Sequence, residues 1–97
     1  MVVNWDNDKN RRLKKERDIT FEQVLIAIET GGMLDILDHP NKERYPDQVV
    51  SLVNINDYVY AVPTVVKKEE FFLKTIYPSR KYTDLYLSGN RRKKHEE

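Results

Sequence analysis

The chain has no cysteine, which excludes a disulfide framework and thiolate metal ligation and makes a reducing compartment the default expectation. No apolar run approaches the ~20 residues needed to span a bilayer, and polar and charged side chains follow Met1 too closely for a signal-peptide core. A cytoplasmic protein with no membrane partner is therefore expected. Only three glycines are present, and none builds a phosphate-cradling loop; HExxH, paired His-Cys ligand spacing and a nucleophile elbow are also missing. Nucleotide hydrolysis, zinc catalysis and serine hydrolysis fit poorly, and neither a metal nor another cofactor is expected. The 97 residues, 39% of them hydrophobic, suffice for one modest core and leave no room for a second domain.

A net charge of +1 conceals strong segregation. Residues 9–17 hold six Lys or Arg against Glu16, and residues 74–94 hold seven against Asp84. Between them, residues 18–73 hold four basic side chains against ten acidic ones. If folding brings the two basic segments to one side, the field there favours a polyanion; otherwise they are solvated faces.

Periodicity outlines the elements. Val2 to Trp5 reads as a short strand, and Asp6 or Asn7 can cap a polar helix reaching about Arg17, with Leu13 as its obvious anchor. Thr20 and Gln23 form a capping box, with Ile19 and Val24 at the staple positions. Phe21, Val24, Leu25 and Ile28 then recur at helical spacing until Gly31-Gly32 ends the helix. Met33 to Leu37 is ambiguous, and Pro40 and Pro46 mark a loop over residues 39–47. Gln48–Ile55, Tyr58–Val65 and Glu70–Tyr77 read as an antiparallel meander. Pro63 cannot donate to a ladder, so a bulge or unpaired edge is expected near it, with an early end to its strand. Pro78 opens a short last helix that Gly89 stops. The expected architecture is α+β: β-α-α-β-β-β-α over residues 1–89, an antiparallel sheet with two helices on one face and a third at its end. Residues 90–97 read as a disordered charged tail.

Val3-Asn4-Trp5-Asp6, Lys9-Asn10, Lys14-Lys15 and Ile19-Thr20-Phe21-Glu22, together with Ile76 to Thr83 around Arg80, resemble the BrnT family of ribonuclease toxins from bacterial type II toxin-antitoxin pairs. The resemblance covers most of the chain up to about Thr83. It implies a RelE-like fold, metal-free RNA cleavage in a basic cleft, and RNA and a cognate antitoxin as partners; a homo-oligomer is a further expectation. The chain departs from the family pattern at Glu16 and Arg17, where members carry a histidine and beyond it a glycine, and at Pro78, where they carry a serine. These departures set a second class beside the toxin reading: a non-catalytic RelE-like module kept for partner binding or regulation.

Such cleavage needs a base for the 2′-hydroxyl proton, cations for the phosphorane and an acid for the leaving oxygen. Lys74 shares a strand face with Phe72 and Ile76, and desolvation there would favour its neutral, basic form, although it can equally snorkel or pair with a glutamate. Arg80 on the strand-helix turn suits a phosphate, or else a surface salt bridge. His39 is an acid-base candidate or an ordinary loop residue. Lys15, Lys81 and Tyr86 complete the set as RNA contacts, with core packing the alternative for Tyr86.

Overall fold

A computed structural model describes residues 2–88. The expected stop at Gly89 and the tail over 90–97 lie outside the described residues. The elements run β1 (Val2–Trp5), α1 (Asn7–Arg17), α2 (Phe21–Glu29), β2 (Met33–Asp38), β3 (Gln48–Ile55), β4 (Tyr58–Lys67), β5 (Glu70–Leu73), β6 (Tyr77–Pro78) and α3 (Arg80–Thr83), which continues as a π-helical turn, Asp84–Ser88. The chain is thus α+β with one mixed sheet, ordered β1-β5-β4-β3-β2, and β6 also pairs with β4.

Local chemistry accounts for both long helices. The Asp6 side chain accepts from the amides of Asp8 and Lys9, and α1 ends where Asp18 turns left-handed at φ 54°. Leu13 is the buried residue of α1, as its pattern implies. Asn10 adds an anchor that periodicity does not reveal: Oδ1 accepts from the Phe21 amide at 2.7 Å, while Nδ2 donates to Glu22 Oε1 at 2.7 Å. One side chain thereby satisfies an orphan amide of α2 and locks the two helices together. The Asn10 bond also holds the Glu22 carboxyl below its ordinary range. The capping box of Thr20 and Gln23 is formed. At the far end Gly31 takes φ 88°, and a Cβ on Gly32 would stand 2.8 Å from the Ala27 carbonyl and 2.9 Å from that of Asn54, so the helix exit can pass beneath β3 only without a side chain.

The β3–β4 hairpin turns on Asn56 and Asp57, both at positive φ, as a two-residue connection of right-twisted strands requires. Alternation along β3 then sorts its side chains between two faces. Val53 and Ile55 join Leu13, Phe21, Val24, Val62, Leu73 and Ile76 beneath α1 and α2. Leu52 and Val50 face the other way, toward Val59, Leu87, Tyr82 and Tyr86.

Three expectations are corrected and one ambiguity is resolved. The sheet is not wholly antiparallel, because β1 runs parallel to β5, with Val2 opposite Glu70 and Trp5 opposite Leu73. Trp5 stacks on Phe21 at 5.7 Å, so burial against α2 helps to place β1 on that edge. The ambiguous Met33 segment is a strand, antiparallel to β3. The last helix packs across the opposite face rather than at the end of the sheet. Finally, β4 does not stop early: it continues through Pro63, paired with Val50, to Lys67.

The irregularity expected near Pro63 falls on the neighbouring strand. The Lys74 amide donates to the Pro63 carbonyl at 2.9 Å, but Pro63 has no N–H to return the bond. Beyond that point the register slips by one residue, from Thr64↔Leu73 to Ala61↔Tyr77, which separates β5 from β6.

Candidate nucleic-acid interface

This slip determines where the basic side chains go. It returns Ile76 to the helix-covered core beside Leu73, whereas Lys74 is exposed. Lys74 therefore does not stand in one buried row with Phe72 and Ile76, and the desolvation on which its role as a base depended is missing. Thr75 in the bulge is only 9% exposed, and its hydroxyl finds no partner among the described residues.

The bulge also takes the Ile76 carbonyl out of the strand ladder, and Arg17 takes it up. From the last position of α1, Arg17 donates an N–H to Ile76 O at 2.5 Å, and its guanidinium carbon lies 5.0 Å from the centroid of the Tyr77 ring. No carboxylate forms an ion pair with Arg17 among the described residues. Its planar fork is thus oriented by a carbonyl and an aromatic face, with further N–H donors uncommitted. The carboxyl end of the basic helix α1 consequently meets the 74–81 segment. Lys14 there is partly neutralised by Asp18 at 2.8 Å, which lowers the pKa of that aspartate, chiefly through the hydrogen bond. Lys15 is exposed on α1, and Arg80 is exposed as the first residue of α3. Ser79 positions that residue: its hydroxyl accepts from the Tyr82 amide at 3.1 Å and its own amide donates to Val59 O at 2.9 Å. Lys81 lies over the Tyr82 ring at 5.3 Å.

The other expected site residues lie elsewhere. His39 follows β2, where its amide bonds Gln48 O and its Nδ1 accepts from the Asn41 amide at 2.9 Å. Its ring packs on Tyr45 at 4.6 Å. Reading the registers across the sheet, His39 shares a row with Gln48, Val65 and Phe72, whereas Pro78, just ahead of Arg80, is level with Tyr60. His39 and Arg80 are thus separated by the widths of β3 and β4 and by about 17 Å along the strands, at 3.4 Å per residue. They do not form one constellation. Tyr86 points toward β2, donating its hydroxyl to Asp35 Oδ2 at 2.7 Å, a bond that raises the phenol pKa above its ordinary value. Two clefts, of about 270 Å³ beside Ile26 and Asn54 and about 330 Å³ beside Tyr45 and Lys67, are lined by neither Lys74 nor Arg80.

Periodicity does not single out Arg17 or Tyr77. Pro63 was the available signal, since it announced a bulge that would free a carbonyl, but the cation that claims that carbonyl lies 59 residues earlier. Among the described residues no helix is long and apolar enough to cross a membrane. Comparison with protein-family models, characterised proteins and solved structures found no match.

Proposed function

We propose that the protein binds RNA along the seam between the end of α1 and residues 74–81. The reading rests on one observation: Arg17 joins the two basic segments through Ile76 and Tyr77 while keeping N–H donors free. Arg17, and Arg80 three residues beyond Tyr77, supply phosphate contacts, and Tyr77, 47% exposed, offers a ring face to an unpaired base. In line with the BrnT resemblance, we read the protein as a RelE-like ribonuclease toxin whose seam a cognate antitoxin covers, with Arg80 and Arg17 holding the scissile phosphate. The non-catalytic reading draws on a separate observation: Lys74 is exposed and His39 is remote, so neither of the two base candidates among the described residues is held beside the arginines.

Labelled single-stranded RNA, titrated with wild type, Arg17→Ala and Arg80→Ala at several salt concentrations, tests the seam. Wild type should bind with an affinity that falls steeply as salt rises, and each variant should bind more weakly with a shallower salt slope, by about 0.7 for every phosphate it no longer neutralises. Unchanged binding by both variants removes the seam from consideration. Expression without an antitoxin tests the toxin reading: wild type should arrest growth and degrade RNA, and Arg80→Ala should lower the cleavage rate by about 100- to 1000-fold, the usual loss for one transition-state donor. RNA binding without cleavage or arrest leaves the non-catalytic module.

A further inference from the structure

We propose that the outer edge of β2, unpaired among the described residues, is a docking edge for an extended, basic segment of a partner protein, with Asp35 as its gate. β2 is the last strand of the sheet, at the end opposite β1. The His39 amide bonds Gln48 O at 3.3 Å, and the register pairs Leu37 with Val50 and Asp35 with Leu52. In an antiparallel ladder bonded pairs alternate with unbonded ones, so Ile36 and Asp38 turn their amides and carbonyls away from β3. Such a row is a template for another strand, and the Ile36 side chain beside it is 48% exposed.

Asp35 occupies that template. Its Oδ1 accepts from the outward Ile36 amide at 2.8 Å and its Oδ2 accepts from the Tyr86 hydroxyl at 2.7 Å, and among the described residues no lysine or arginine forms an ion pair with it. An incoming strand must take the Ile36 N–H onto its own carbonyl, which releases one carboxylate oxygen. A lysine on that strand can take up the oxygen, so the exchange leaves no group unpaired. Asp35 faces Tyr86 and the neighbouring Ile36 side chain points to the other face, so the occupant should alternate basic and apolar residues. A second copy of this chain fits worse, because it would set its own Asp35 and Asp38 beside these, and like charges across strands repel. The edge lies away from the arginine seam, so this proposal stands independently of RNA binding.

The test uses the full chain and a fluorescent eight-residue peptide of alternating valine and lysine. Its comparison peptides are the valine-glutamate analogue and a copy N-methylated along one edge. Saturable binding is expected for the lysine peptide, weaker by at least about tenfold for either comparison peptide, because one reverses the charge and the other lacks the backbone donors. Ile36→Pro should abolish binding yet leave the ladder to β3 intact, since the Ile36 amide does not bond β3; RNA affinity should not change. If that variant fails to fold, the N-methylated peptide still decides. Equal binding of the N-methylated and parent peptides, or no saturable binding, overturns the proposal. So does dimerisation of the wild type that the lysine peptide does not reverse.

Discussion

The two faces of the sheet are built on different principles. Beneath α1 and α2 the core is apolar and large: Phe21, Val24, Val53, Val62 and Ile76 are fully buried, and the buried hydroxyls of Ser51 and Thr64 hydrogen-bond each other at 3.2 Å. Among the described residues, the apolar side chains buried on the opposite face are Leu52, Val59 and Leu87, with half-buried tyrosines around them. Its last helix is secured by polar stitches. Thr83 Oγ1 accepts from the Val59 amide at 2.8 Å and donates to Ser79 O at 2.7 Å, and Tyr86 reaches Asp35. Apolar burial falls off with area and is indifferent to direction, whereas each of these hydrogen bonds is lost whole when its geometry fails. The first face should therefore open only with global unfolding and the second should open locally.

The largest effect should come from the helix-covered face. Phe21→Ala removes a ring at 0% exposure and its stack on Trp5, and should destabilise the protein by about 3–5 kcal/mol in urea unfolding. A loss below about 1 kcal/mol would mean that the helices are not seated as described. Next, Thr83→Val keeps the shape but leaves the Val59 amide without its acceptor, a loss of about 1–3 kcal/mol. Hydrogen exchange should localise that change to residues 80–87 and leave the protection of α2 untouched; uniform loss would erase the contrast between the faces.

Asn10→Ala should cost about 0.5–2 kcal/mol, as loss of a helix cap does. It should also reduce acid sensitivity. A carboxyl held below its ordinary pKa adds stability above that value and loses it as pH falls, so without Asn10 the Glu22 contribution shrinks and the pH-stability curves of the two proteins should converge in acid. The smallest effect belongs to Tyr86→Phe, which should slightly loosen the last helix and change the alkaline limb. Because the phenol is raised above its ordinary value of 10.0, it stabilises the fold below that pH and ceases to as pH climbs through the raised value. Wild type should lose more stability than Tyr86→Phe over that window; parallel curves would show the Asp35 bond to be absent in solution.

Much of the fold was legible where neighbours along the chain decide it. The capping box at Thr20, the Asp6 cap, the Gly31 exit and the Asn56-Asp57 turn are chemical events within four residues, and each occurs where the residues indicate. The candidate site was less legible. Arg80 and Lys81 could be placed on the turn after the last strand, but Lys74 was assigned to a buried row by an alternation that the bulge opposite Pro63 resets.

The sequence alone determined the local elements, the segregation of charge and the need for an irregularity at Pro63, because side-chain periodicity, capping and a missing N–H act over a few bonds. Tertiary structure decided that β1 lies parallel to β5, that the bulge falls on the strand beside Pro63, that Arg17 meets Ile76 and that Asp35 meets Tyr86. Arg17 and Ile76 lie 59 residues apart and Asp35 and Tyr86 lie 51 apart, and strand edges carry the same N–H and C=O groups whatever their sequence. Their pairing is settled only when burial of the apolar faces brings particular edges together.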